Sequence, residues 1–121
     1  MTDEEQVRAI RIVVEEVNGA VPVMGGLGDT STSRAVRKAR QIVREGVTHV
    51  TVLAPFYFVP TQEHLIAYFS EIAAAVDRPL IIYDNPVMTK CYIRPETVAE
   101  LKRQVPSIAG VKESNEDCRN L

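Results

Sequence analysis

Apolar positions along this chain switch between two periods, and the switch recurs. Residues 2–18 place Val7, Ile10, Val13, Val14 and Val17 at helical spacing, with Thr2 and Glu5 set as a capping box and Gly19 as a stop. The run 21–25 is short and apolar, as a buried strand requires. Helical spacing returns over 33–45 through Ala35, Val36, Ala39, Ile42 and Val43, closed by Gly46. A β-branched run at 49–54 predicts a second strand. Thr61 and Gln62 open a helix carrying Leu65, Ile66, Phe69, Ile72, Ala73 and Val76. A third strand is expected over 79–83. A fourth helix starts at Pro95, with Thr97, Val98, Leu101 and Val105 on one side, and Pro106 ends it before a fourth strand over 108–112.

The strand starts near 21, 49, 79 and 108 are separated by 28, 30 and 29 residues. That recurrence marks successive βα units, whose right-handed crossovers give a parallel sheet, so the predicted class is α/β. A length of 121 residues suits a single domain over 1–121. Four strands are fewer than an open doubly wound sheet or an eight-stranded barrel holds, and the first helix has no strand before it. The expected architecture is an interior part of something larger.

Composition narrows the function classes. Net charge is −2, with 14 basic and 16 acidic residues and no basic block, so nothing marks a nucleic-acid surface. The apolar runs are too short for a membrane span, and the acidic N-terminus is not a secretory signal. Cys91 and Cys118 make neither a disulfide framework nor a metal-ligand spacing, which points to reduced thiols and a cytoplasmic location. His49 and His64 lack ligand partners at metal spacing, so no metal and no cofactor is expected.

In parallel α/β folds ligands bind beyond the carboxyl ends of the strands. Residues 25–32, 55–60, 83–90 and 112–115 take that place here and are expected on one rim. Lys112 ends an apolar strand, and alternation puts Ile108, Gly110 and Lys112 on one face. If that face is enclosed, the amine loses hydration. A lysine shifted from about 10.4 to roughly 7–8 has enough neutral amine to attack a carbonyl. Most lysines at strand ends reach water instead, so position alone leaves both readings open.

Tyr83 ends the preceding strand, 29 residues earlier, and is expected beside Lys112 as a proton relay; alone it reads equally as a wet strand aromatic. Tyr57 lies between Phe56 and Phe58 in a loop bounded by Pro55 and Pro60, an apolar knob suited to a contact or to local packing. Gly25–Thr32 lacks the full dinucleotide or P-loop pattern, so its glycines read first as turn formers and second as an anion cradle. Asp84 and Glu113 each follow an inward candidate and are expected to point elsewhere.

These segments resemble one family. Gly-Val-Lys-Glu-Ser (110–114), Ile-Ile-Tyr-Asp-Asn-Pro (81–86), Val-Leu-Ala-Pro-Phe-Tyr (52–57) and the glycine loop at 26–32 are similar, in order and spacing, to the dihydrodipicolinate synthase / N-acetylneuraminate lyase family. The resemblance implies a (βα)8 barrel, of which this chain matches strands three to six, about half. It implies an oligomer, at least a dimer, and a lyase or aldolase that joins or cleaves 2-oxo acids such as pyruvate through a lysine Schiff base. Lys112 then corresponds to the Schiff-base lysine and Tyr83 to the central relay tyrosine. Tyr57 corresponds to the tyrosine that crosses a dimer interface, while Gly28, Thr30 and Asp84 fall at substrate-binding positions.

Three departures stand out. Met88 occupies the place of a synthase arginine that holds a substrate carboxylate, and a thioether cannot make that contact, which points away from lysine biosynthesis. Asp84 replaces the usual Asn, and Lys90 the usual glycine. The family's carboxylate-binding Thr-Thr pair has no counterpart in the chain. Two further readings are a non-catalytic half-barrel assembly module and an open-sheet anion binder built on residues 25–32.

Overall fold

The computed structural model describes residues 1–115. Cys118 lies outside the described residues. The elements run α1 (Asp3–Val17), β1 (Met24–Leu27), α2 (Thr32–Arg44), β2 (His49–Leu53), α3 (Gln62–Ala74), β3 (Leu80–Asp84), α4 (Pro86–Thr89), α5 (Pro95–Gln104) and β4 (Ile108–Glu113). The four strands form one sheet in the order β1-β2-β3-β4, and every pairing is parallel.

Local signals explain most boundaries. Thr2 Oγ1 accepts the Glu5 N–H at 3.2 Å while Glu5 Oε2 accepts the Thr2 N–H at 2.6 Å, a reciprocal cap on α1. Asn18, with φ +45, closes that helix in the left-handed region just before Gly19. Thr61 caps α3 by accepting the His64 N–H. Pro95 sits in the first turn of α5, where its missing N–H costs nothing.

Alternation sorts the strands into two faces. Val50, Val52, Ala54, Leu80 and Ile82 are fully buried and meet Leu65, Phe69 and Ile72 of α3, with Ala35, Ala39 and Ile42 of α2 alongside. Burying each large apolar side chain contributes about 1.5–3 kcal/mol, so this layer holds the fold together. By contrast, α1 buries no residue fully. It is tied to its neighbours by the Arg11–Glu45 pair at 2.6 Å and the Asp3–Lys38 pair at 3.0 Å.

The structure corrects three local expectations. The first strand is 24–27, not 21–25, because Val21 is exposed and the strand begins where Val23 O accepts the Thr48 and His49 N–H groups. Gly25 therefore lies inside a strand. A Cβ there would stand 2.2 Å from Ile42 Cγ2, so glycine lets α2 approach the sheet. The short helix α4 was not expected. Pro86 starts it, the Asn85 carbonyl accepts from Met88 and Thr89, and Lys90 ends it with φ +58. That left-handed backbone is one that glycine adopts without the steric cost a lysine bears.

The third correction concerns β4. Leu80 pairs with Ile108 but Ile81 pairs with Gly110, so Ala109 is an extra residue in a bulge. The bulge turns Ile108 to the helix side, where it is buried. Gly110 and Lys112 stay on the opposite face.

Candidate active site

The face of the sheet away from the helices carries Met24 and Gly26 from β1, His49, Thr51 and Leu53 from β2, Ile81 and Tyr83 from β3, and Gly110 and Lys112 from β4. It forms an open concavity of about 620 Å³ lined by Gly26, Gly28, Thr51, Leu53, Tyr83 and Lys112. Gln6 reaches over from α1, and its amide donates to the Gly26 carbonyl at 2.8 Å. That bond satisfies a group on the outer edge of β1.

Tyr83 and Lys112 are direct partners across β3 and β4. Lys112 Nζ lies 3.5 Å from the centroid of the Tyr83 ring, over its face, where the ring quadrupole attracts an ammonium. The Tyr83 oxygen accepts a hydrogen bond from Asn85 Nδ2 at 3.0 Å and faces Ser114 Oγ at 3.4 Å. The Ser114 hydroxyl first, then Lys112 and Asn85, hold this phenol below its ordinary value. Lys112 itself is exposed. Of the two readings open for a strand-end lysine, the exposed one holds among the described residues, which place no layer over this face.

The other sequence candidates fall in different places. Gly28 lines the same concavity as Lys112, and a Cβ on it would press Leu53 at 3.2 Å. Thr30 is exposed and does not line it; its hydroxyl accepts from Arg34 at 2.9 Å. Tyr57 stands 85% exposed in the loop after β2, with φ +84 and an edge-on contact to Phe58 at 4.8 Å. Met88 is also exposed, on α4.

Asp84, set at a substrate-binding position by the resemblance, lies on the other side of the sheet from Lys112, as its place one residue after Tyr83 predicts. Its side chain points to the helix face, is 3% exposed, and lines an apolar concavity with Ile93, Val98, Val111 and Glu113. Oδ2 accepts the Ile93 N–H at 3.4 Å while Oδ1 has no partner among the described residues. Burial, with Glu113 adding repulsion, pushes this carboxyl up to about 6.

The glycine loop carries its own anion. Asp29 is buried, accepts the Ser31 N–H at 3.0 Å, and pairs with Arg34 at 2.8 Å and Lys38 at 3.2 Å. Asp29 thus takes up the Arg34 and Lys38 cations and the Ser31 N–H that an incoming anion would have to compete for. Among the described residues, no three His, Cys, Asp or Glu side chains converge as metal ligands, and no helix is long and apolar enough to cross a membrane.

Asn85 and Ser114 are contacts that the sequence reading did not single out. Each lies two residues beyond an identified one, Tyr83 and Lys112 respectively, and so falls on the same face by alternation. That period was the available signal.

Comparison with known proteins decides the family. The sequence pattern of the Dihydrodipicolinate synthetase family matches residues 1–121. The chain belongs to that family. It is 42% identical over 117 residues to the 4-hydroxy-tetrahydrodipicolinate synthase of Thermoanaerobacter sp. (strain X514), covering 97% of this chain and 39% of the relative. The dihydrodipicolinate synthase of Aquifex aeolicus superposes with a TM-score of 0.94 at 31% identity, over 99% of this chain and 41% of that one. A chloride-inhibited dihydrodipicolinate synthase from Acinetobacter baumannii, solved with pyruvate, gives 0.94 at 29% identity, over 99% and 41%.

The chain therefore spans about two-fifths of the length of these relatives. Within the Dihydrodipicolinate synthetase family its described residues supply four consecutive parallel strands, about half of a (βα)8 barrel, with a helix before each. The concavity above is the sheet face that such a barrel turns inward.

Proposed function

We propose that this chain carries the Schiff-base half of a lyase or aldolase acting on 2-oxo acids such as pyruvate. One observation carries the reading: Lys112 and Tyr83, paired across β3 and β4, hold an amine against a phenol at the carboxyl ends of neighbouring strands. In this reading the neutral Lys112 amine attacks the ketone carbon of the 2-oxo acid, and the carbonyl oxygen takes up a proton. The carbinolamine then loses that oxygen as water, leaving the imine. Tyr83 supplies and recovers the proton in these steps. Gly28 leaves room for the substrate on the same face.

Tyr57 is assigned the role of reaching a neighbouring copy, so the working unit is at least a dimer. Its support is an aromatic side chain held out into solvent on a positive-φ backbone, next to exposed Phe58 and Val59. Sedimentation at rising dilution tests this, and a folded monomer at every concentration argues against it.

The decisive experiment is borohydride reduction in the presence of pyruvate, followed by peptide mass mapping. A reduced adduct on Lys112 is expected. If an intact family synthase is labelled under the same conditions and Lys112 is not, the catalytic reading fails. The open, uncovered face favours one alternative, a half-barrel module that assembles without activity. That alternative predicts association without an adduct.

A further inference from the structure

The oxygen of Tyr83 has more neighbours than a wet strand tyrosine needs. Asn85 Nδ2 lies 3.0 Å from it and Ser114 Oγ 3.4 Å, and the two come from different strand ends. Neither contact is incidental to a mobile loop. Asn85 starts α4, where its carbonyl accepts from Met88 at 3.0 Å and Thr89 at 2.9 Å and from the Thr89 hydroxyl at 3.0 Å. Ser114 is held by its own N–H, which donates to the Asp84 carbonyl at 3.0 Å and continues the β3–β4 ladder. Both side chains are thus anchored through their backbones.

We propose that Asn85 and Ser114 are positioning residues that lock the Tyr83 hydroxyl as a double hydrogen-bond acceptor, fixing where its proton points. A phenol oxygen has two acceptor sites and one proton. With an amide N–H and a serine O–H on the acceptor sites, the phenol's own O–H is left to face the concavity shared with Lys112 and Gly28. A donor pair of this kind also favours the ionised oxygen over the neutral one, which matches a group that must give a proton and take it back. The lowered position of this phenol, to which Ser114 contributes most, then Lys112 and Asn85, agrees with the arrangement.

The charged surroundings are simple. Lys112 on β4 is the charged side chain recorded against the ring. His49 stands on the same face but at the opposite end of β2, while Asp84 and Glu113 line the concavity on the other side of the sheet. The inference rests on the Schiff-base reading for its purpose, yet its geometry can be tested without catalysis.

The test is a pH titration of the whole chain carrying tyrosine labelled with carbon-13 at Cζ. Tyr83→Phe identifies the resonance among the four tyrosines. The Tyr83 midpoint is expected to lie below the ordinary tyrosine value of about 10. It is expected to rise in Asn85→Ala and in Ser114→Ala, to rise further in the double variant, and to return in Ser114→Thr, which restores the hydroxyl. Tyr68, buried with its hydroxyl toward the Asp29 carbonyl, reports folding in the same spectra and should not move. An unmoved Tyr83 midpoint in the folded Asn85→Ala and Ser114→Ala chains overturns the proposal, whatever borohydride trapping shows. A midpoint that moves while trapping fails supports the lock and counts against the Schiff-base reading alone.

Discussion

Lys112 Nζ sits 3.5 Å above the ring of Tyr83, its direct partner across two parallel strands. The contact brings an amine and a phenol together through backbone register, without a loop. The amine's charge can be kept while its proposed chemistry is removed, which gives the first prediction.

Lys112→Arg keeps a cation over the ring but cannot supply a neutral amine, because a guanidinium does not deprotonate in proteins. Urea unfolding should give an unchanged midpoint, while borohydride labelling with pyruvate drops to background. A large fall in the unfolding midpoint would make the lysine structural instead.

Asp84 links stability to pH. Its carboxyl is held near 6 in the folded chain by burial and by Glu113, against about 3.9 when unfolded. The folded state therefore binds the proton more tightly. The resulting stability is present below the unfolded value and is lost as pH rises through about 6. Urea denaturation should show the chain more stable near pH 5 than near pH 7.5, by roughly 1–3 kcal/mol. Asp84→Asn should flatten this slope and stabilise the chain at the higher pH. A slope unchanged in Asp84→Asn would assign it to other groups.

Two adjacent glycines make a matched pair. A Cβ on Gly25 would meet Ile42 at 2.2 Å and Val47 at 3.1 Å, whereas a Cβ on Gly26 meets nothing within 4 Å. Thermal or urea unfolding should find Gly25→Ala destabilised by about 1–3 kcal/mol. Gly26→Ala, on the open face, should change little. Equal effects at both sites would contradict the assigned faces of β1.

Tyr57 keeps a positive φ of 84 while its ring is mostly solvated. A non-glycine residue in that region costs on the order of 1–3 kcal/mol. Tyr57→Gly should therefore raise stability in urea by about 1 kcal/mol, after the extra entropy of glycine in the unfolded chain is offset. The same variant should weaken self-association in sedimentation if the side chain reaches a second copy. A loss of stability would mean that the ring packs in a way its exposure does not suggest.

Much of the site was legible from periodicity. Strand spacing near thirty residues placed Tyr83 and Lys112 on neighbouring strands, and the structure makes them register partners. Asn85 and Ser114 were within reach of the same reasoning, two residues further on. Ile108 was not. Its side is set by the extra residue Ala109, and a bulge depends on how two strands meet, which no local pattern reports. The first strand was misplaced because glycine reads locally as a turn, while here Gly25 answers to a helix packed against it from seventeen residues away.

Residue order alone thus determined the parallel α/β repeat, the helix caps and the family segments, since each depends on chemistry within a few neighbouring positions. Tertiary structure decided how deeply each candidate is buried and what it meets. It buried Asp84 against the helices, paired Asp29 with Arg34 and Lys38, and left Lys112 exposed beside Tyr83. Those outcomes follow from long-range packing and from which face has a layer to cover it, and sequence periodicity carries no record of either.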